Sequence, residues 1–559
     1  MNPIRKRLTS LKLREIVIAN KNTYNVQNNK GNAMKPIAKA TFATALLLLG
    51  TSISAFAVER GGTLNYGRYA DSLFLEPVLN DANVDIWVLS NLYDTLLLPT
   101  DDGKGVQAGL ATAWKLADDG LSVTLTLRDG IKFSDGSPIT PADVAWSLKR
   151  AATPDNGQWT FLVSSIADVI TEGDRTVLIK LKNPDPAIFS ALTVFNTAIM
   201  PEKAFEAAAG ATDADKAKAF AEHPIGSGPF MLQSWDRGSS MKLVRNPYYW
   251  GVGEDGKPLP YLDGINFEVI PDDATRILKL NSGELDGAEF IPYSRVDELK
   301  AASNLNMELY PSTRVEYVTL NVRPQLGGKD NPMSNAKVRE AMNDAVNKEA
   351  IIQIVTHGVG TPMTSYMSSA TPLHTGDKPL FPYDLDKAKS LMKEAGFENG
   401  FSTSLLVLAG NQDEIGIATA LQQMWSQIGI KLDLLQVDNP SRTAQYRAGT
   451  FAMRLAAWTD DIADPNEITS YFVYSPNIGA LHTGWKSEEA DKLFETSQKE
   501  IDATKRAAEY AQIQQIYNTT GPIVPLYETP YPVALSKKVH GFLQIPLGNN
   551  IFTKTWLDK

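Results

Sequence analysis

Apolar residues along this chain repeat with two periods, two and about 3.6, and the two patterns alternate from end to end. In "DDGLSVTLTLRDG" every second position is apolar: Leu121, Val123, Leu125 and Leu127. That spacing sets one face of a strand against a core, directly after an Asp-Gly turn. The stretches "RTVLIKLKN" (175–183) and "GINFEVIP" (264–271) alternate in the same way, and a short strand is expected at 63–66. Helical spacing takes over in "DIWVLSNLYDTLL" (85–97), where Ile86, Leu89, Leu92, Tyr93 and Leu96 share a face. Further helices are predicted over 271–285, 336–355, 384–396, 415–429 and 488–521, the last broken near "DATKR". Gly396, Gly429 and Gly521 stand where helices commonly end on a left-handed residue. Strands 401–410 and 430–437 flank the 415–429 helix, a strand-helix-strand unit that belongs to a sheet covered by helices. The fold class is therefore α/β, in several lobes.

One stretch, "TLRDGIKFSDGSPITPADVAWSLKR" (126–150), is dense enough in turns and polar residues to suggest an active site. Each conspicuous residue has a structural task instead. Two Asp-Gly turns separate short strands, Thr140 caps the next helix, Pro141 takes its first position, and Asp143 completes a capping box. Val144, Ala145 and Leu148 form the buried stripe. No nucleophile stands beside a base, so the stretch is scaffold.

At 559 residues the chain exceeds what one hydrophobic core can organise, and two or three domains are expected. The segment from Met34 has Lys35 and Lys39, a short apolar run to Gly50, and the small-x-small triplet Ala55-Phe56-Ala57. This is the pattern of an export signal cleaved after Ala57. Residues 1–33 form a basic leader, best read as preceding the true start at Met34. Nine of the 54 Lys and Arg and one of the 64 Asp and Glu precede Val58, which leaves 45 against 63, a net charge of −18. So acidic a chain is unsuited to nucleic acid. The sequence contains no Cys, which excludes disulfides, thiolate metal sites and a lipid-anchored cysteine at the cleavage site. The expected location is the periplasm, without an anchor.

Enzyme motifs are absent or misplaced. "GVGEDG" (251–256) fits G-x-G-x-x-G, but no strand leads in and no helix leads out, so it reads as a turn. There is no G-x-S-x-G elbow, and the five His (223, 357, 374, 482 and 540) lack metal-ligand spacing. No catalytic residue, metal or cofactor is expected.

The segment "GLATAWKLADDGLSVTLTLRDGIKFSDGSPITPADVAWSLKR" resembles the signature of the solute-binding proteins of peptide ABC transporters, family 5. "HPIGSGPFMLQSW", "LVRNPYYWG", "IPDDATRILKLNSGELD", "VRPQLGGKDNPMSNAKVREAMNDAVNKEAI" and "YDLDKAKSLMKEAG" resemble further family blocks in the family's order. The resemblance implies a periplasmic-binding-protein type II-like fold, two lobes that close on a ligand through a hinge, with an extra domain inserted. On that analogy residues 1–57 are leader and signal, 58–98, 224–310 and 522–559 form lobe I, 99–223 the extra domain and 311–521 lobe II. Family members that bind short peptides carry Gly-Trp-x-x-Asp-x-x-Asp/Glu-Pro, whose first Asp holds the peptide's α-ammonium. Here the stretch is "AAWTDDIADPNEITSYF", with Trp458, Asp461, Asp464 and Pro465 matching and Ala457 in place of Gly. By resemblance Asp461 is the ammonium acceptor, Trp458 a wall of the pocket, and Tyr69 and Asn321 cleft-lining residues. Asp460 is a second acid, facing either a dicationic ligand or water. The loop in which dipeptide binders place an Arg reads "LLVLAGNQDEIGIA" (405–418), without Arg or Lys, which counts against classical dipeptide binding. Arg68 and Arg314 are spare cations, expected at the surface.

The implied function is delivery of small peptides to inner-membrane permease subunits driven by cytoplasmic ATPase subunits, the chain itself acting as a monomer. An opine-like molecule, glutathione, an oligosaccharide, haem or a nickel complex is the alternative ligand. An exported enzyme, or a sensor or chaperone of the same fold, is the alternative class.

Overall fold

Alternation builds the three largest sheets in the computed structural model, which describes residues 58–559 apart from Asp81, Asp155, Asn156 and Gln158. The leader, the export signal and the cleavage site lie outside the described residues. The first sheet has seven strands in the order Leu305–Tyr310, Tyr531–Ser536, Gly287–Ala288, Thr63–Arg68, Gly264–Val269, Ser240–Arg245 and Phe230–Asp236. A six-stranded sheet runs Thr361–Pro362, Ile523–Glu528, Val315–Leu320, Met453–Trp458, Phe401–Leu408, Ile430–Val437. The third, Ala111–Leu116, Ser122–Leu127, Thr176–Leu181 and Ile166–Glu172, is an antiparallel meander with one crossing.

The domain boundary placed at 522 falls one strand early. Ile523–Glu528 pairs with Val315–Leu320 in the six-stranded sheet, and only Tyr531–Ser536 enters the first. Two antiparallel pairs therefore meet end to end. Tyr310 pairs with Tyr531 in one sheet, Val315 pairs with Glu528 in the next, and Pro311–Arg314 and Thr529–Pro530 bridge between them. Ser312 Oγ donates to Thr529 O at 2.5 Å and ties the two bridges together. This double crossing joins the two sheets, at the place where the two-lobed fold implies a hinge.

Buried side chains follow the pleat. On Val315–Leu320, Val318 and Leu320 join a core with Leu405 and Trp425, whereas Val315 and Tyr317 join another with Phe472 and Tyr517. Helices thus cover both faces of the six-stranded sheet, as the Phe401–Leu408, Gln412–Ser426, Ile430–Val437 unit predicts. The first sheet and the antiparallel meander share one core, from Tyr66 and Phe267 through Leu125 and Ile179.

The capping box forms as expected, with Thr140 Oγ1 accepting from Asp143 N at 3.2 Å and Asp143 Oδ2 accepting from Thr140 N at 2.9 Å. Val144, Ala145 and Leu148 are buried beneath it. Two expectations change. The predicted 336–355 helix is two helices, Ala336–Asp344 and Lys348–Val355, because Asn347 caps the second by accepting Ala350 N–H at 2.9 Å. Gly396 and Gly429 are left-handed (φ 83° and 81°), but Gly521 is extended (φ −60°). Glycine at 521 meets a packing need, since a Cβ there would lie 2.5 Å from Tyr517 O.

Candidate ligand-binding site

Met453–Trp458 is antiparallel to Val315–Leu320, in a register that sets Trp458 beside Val315 at the hinge end of the sheet. The chain then loops through Thr459–Pro465 into the helix Asn466–Phe472, whose start is fixed by Asp464 accepting Asn466 N–H at 2.9 Å. Four carboxyl groups crowd this turn, each in a different environment.

Asp464 is a structural anion: Arg506 reaches it with both terminal nitrogens, at 2.7 and 2.8 Å, in a buried bidentate pair. Asp460 faces neither a ligand nor water, contrary to both sequence expectations. It is fully buried, accepting from Trp458 Nε1 at 3.0 Å and Thr371 Oγ1 at 2.6 Å, while its N–H donates to Thr313 Oγ1 at 2.9 Å. Burial pushes its carboxyl up to about 7 despite those hydrogen bonds. Asp461 keeps partial exposure. The protein around it nonetheless displaces bulk water and raises it above the usual carboxylate range, while contact with the Glu467 carboxyl draws it back down; Asp460 is a further acid beside it. Glu467 is fully buried and accepts the N–H groups of Asp461 (2.8 Å) and Ile462 (3.2 Å). Burial, and then the Asp461 charge, hold it well above the usual carboxylate range.

Tyr69 approaches from the first sheet. Its ring packs on Phe290 (4.7 Å between centroids) and Trp87 (6.3 Å), and Tyr531 stands edge-on to both of those rings. Tyr531 OH donates to Thr459 Oγ1 at 3.0 Å, which joins this aromatic cluster to the acidic loop. Phe290 sits at φ 50°, a costly conformation for a bulky residue, held by Arg276 donating to its carbonyl at 2.9 Å. Gly548 closes the back of the cluster: a Cβ there would lie 3.1 Å from Trp87 Nε1 and 3.2 Å from Tyr531 OH. From the inserted domain, Phe161 meets Tyr471 edge-on at 5.4 Å, Tyr471 lies 4.9 Å from Trp458, and Ser190 Oγ donates to Ala463 O at 3.3 Å. The structure thus links Trp458 and Tyr69 to the acidic loop, Trp458 through Asp460 and Tyr69 through Trp87, Phe290, Tyr531 and Thr459. A pocket lined by Leu89, Tyr93, Phe195 and Ile551 includes none of these carboxyls.

Asn321 does not belong there. It follows the opposite end of Val315–Leu320 and is fully buried, its Nδ2 donating to Gly449 O (2.9 Å) and Phe451 O (2.8 Å) and its Oδ1 accepting from Arg323 N (3.2 Å). With those groups engaged it splices a strand end to a neighbouring turn. Arg68 is likewise neither spare nor superficial, being buried against Glu289 (3.3 Å), Ser72 and Val84 O. Arg314 lies on the hinge, partly buried and paired with Glu316 at 2.5 Å. Residues that sequence reasoning passed over are Glu467, Tyr531 and Tyr471. Glu467 had a signal, a lone acid in "NEITSYF", a helix whose Ile468, Thr469, Ser470 and Phe472 are buried. Tyr531 had none, because its strand is apolar on both faces.

Residues 105–480 match the model of the bacterial extracellular solute-binding proteins, family 5. The chain is 29% identical over 511 residues to the glutathione-binding protein GsiB of Salmonella typhi, covering 90% of this chain and 96% of that protein. It is 28% identical over 529 residues to the probable D,D-dipeptide-binding periplasmic protein DdpA of Escherichia coli K12, covering 92% and 98%. Among solved structures, the ABC transporter-associated binding protein DppA of Helicobacter pylori with the peptide STSA superposes with a TM-score of 0.78 at 24% identity, covering 90% of this chain and 99% of that one. The chain belongs to the bacterial extracellular solute-binding proteins of family 5, and its part in an ABC transporter is to hold the solute, not to transform it.

Proposed function

We propose that this protein, exported to the periplasm by removal of residues 1–57, captures short peptides in the space between its lobes and presents them to the permease. Asp461 accepts the ligand's α-ammonium, and Trp458 and Tyr69 wall the pocket on either side. The observation that carries this reading is Asp461 itself: a partly exposed carboxyl, bordered by aromatic rings, whose charged neighbour is an acid and not a cation. A carboxylate so placed gains a charge-assisted hydrogen bond from an entering ammonium. The names of GsiB, DdpA and the DppA complex, which refer to glutathione, a D,D-dipeptide and a tetrapeptide, support the same ligand class. Ligand binding favours the arrangement in which the lobes meet, and the permease reads that arrangement.

The test is native mass spectrometry of protein isolated from its own periplasm, with the released ligand identified after denaturation. A ladder of short peptides is expected, and Asp461→Ala should empty it. A single non-peptide mass, or an unchanged ladder in the variant, would overturn the peptide reading or the anchor respectively.

A further inference from the structure

Asp461 and Glu467 adjoin across the start of the helix Asn466–Phe472. Glu467 spends Oε2 on the N–H groups of Asp461 and Ile462, while its buried Oε1 receives no donor from a non-acidic group among the described residues and its carboxyl meets that of Asp461. The charged and titratable neighbours offer no compensation. Asp460, next along, has both oxygens occupied by Trp458 and Thr371. Asp464, with Asp185 nearby, is matched to Arg506, and Arg314 is matched to Glu316. Tyr471 and Tyr531 are raised by burial and stay neutral at pH 7. Two adjacent carboxyls, one fully buried and the other only partly exposed, with no cation between them, do not both ionise near neutral pH.

We propose that Asp461 and Glu467 act as one cation-accepting pair, which shares a proton while the site is empty and releases it to solvent when a ligand's ammonium group enters. The inference rests on the ammonium lying at Asp461, as proposed above. One O–H bond breaks, the proton passes to buffer, and the ammonium then faces two carboxylates. Glu467 is thereby a specificity-determining residue, because a neutral or anionic head group brings no positive charge to replace the shared proton, which stays in place.

The first experiment needs no ligand. Infrared carboxyl absorption of the empty protein is followed from about pH 5 to about pH 9, a range that brackets the raised carboxyls and lies above the usual carboxylate values. Asp94 and Asp460 also titrate high, so the signal read is the difference between wild type and variant. A carboxyl titrating near neutrality in wild type and missing from Glu467→Gln is expected; identical titrations would overturn the shared proton. Glu467→Gln keeps an acceptor for both N–H groups, and Asp461→Asn supplies the same difference signal if that variant folds poorly. The second experiment is calorimetry near pH 6 with trialanine, glutathione and N-acetyl-trialanine in two buffers of different ionisation heat. About one proton should leave per free-amino ligand, with affinity rising about tenfold per pH unit below pH 7, and Glu467→Gln should abolish both. Equal proton counts in wild type and variant would overturn the proposal. If N-acetyl-trialanine binds as well as trialanine, the ammonium placement fails. Discrimination between them without proton release sinks the shared proton alone.

Discussion

Replacing Asp460 with Asn should make the protein's stability less dependent on pH, and the size of the effect follows from the geometry. The wild-type carboxyl is fully buried and raised from 3.8 to about 7, chiefly by burial. Between those values the folded state holds a proton that the unfolded state has lost, so stability falls as pH rises through the window and levels off above it. With one pKa unit equal to about 1.36 kcal/mol, raising the pH from 5 to 8 costs the wild type roughly 2–3 kcal/mol through this group. Asn cannot ionise, yet it retains both contacts: its carbonyl accepts from Trp458 Nε1, and its amide donates to the Thr371 hydroxyl, which turns to accept. The gap in urea unfolding free energy between variant and wild type should therefore widen by roughly 2–3 kcal/mol between pH 5 and pH 8. Parallel curves would show that Asp460 does not carry the burial cost assigned to it.

Two further outcomes concern the scaffold. Arg506→Met leaves the buried Asp464 carboxylate without its bidentate partner and should cost about 3–5 kcal/mol in urea unfolding, whereas Arg506→Met combined with Asp464→Leu should cost much less. If the double variant is as unstable as the single one, the loss lies in packing around the guanidinium and not in a stranded charge. Thr140→Ala removes the capping-box hydroxyl and should cost about 1 kcal/mol in a thermal melt while leaving ligand retention unchanged. Lost retention would reopen the 126–150 stretch as a functional site.

Local rules were legible where neighbours in sequence decide the outcome. The alternation of Ser122–Leu127, the Thr140–Asp143 box and the break before Ala503, where Asp502 caps the new helix, all depend on residues a few positions apart. What escaped depends on distant partners. Asn321 reads like a polar residue bordering a cleft until Gly449 and Phe451 are brought beside it, and Asp460 reads like a surface acid until Thr371 arrives. The strand Ile523–Glu528 resembles its successor Tyr531–Ser536 in composition, and only pairing shows that a sheet boundary separates them. Within the acidic loop, spacing singled out Asp461 but could not tell it from its neighbour, because the distinction lies in which carboxyl has donors and which has another acid.

The paired crossing at Pro311–Arg314 and Thr529–Pro530 limits how the two halves can move. A single strand would act as a free swivel, but two antiparallel strands tied by Ser312 and Thr529 behave as a strap with one easy bending direction. Sliding would shear the Tyr310–Tyr531 and Val315–Glu528 pairs out of register, and a one-residue slip turns side chains to the wrong face. The halves are left with an angle to vary. Ligands of different bulk would then be accommodated as a carpenter's rule accommodates lengths, by opening further about the same pivot, with no binding residue having to be rebuilt.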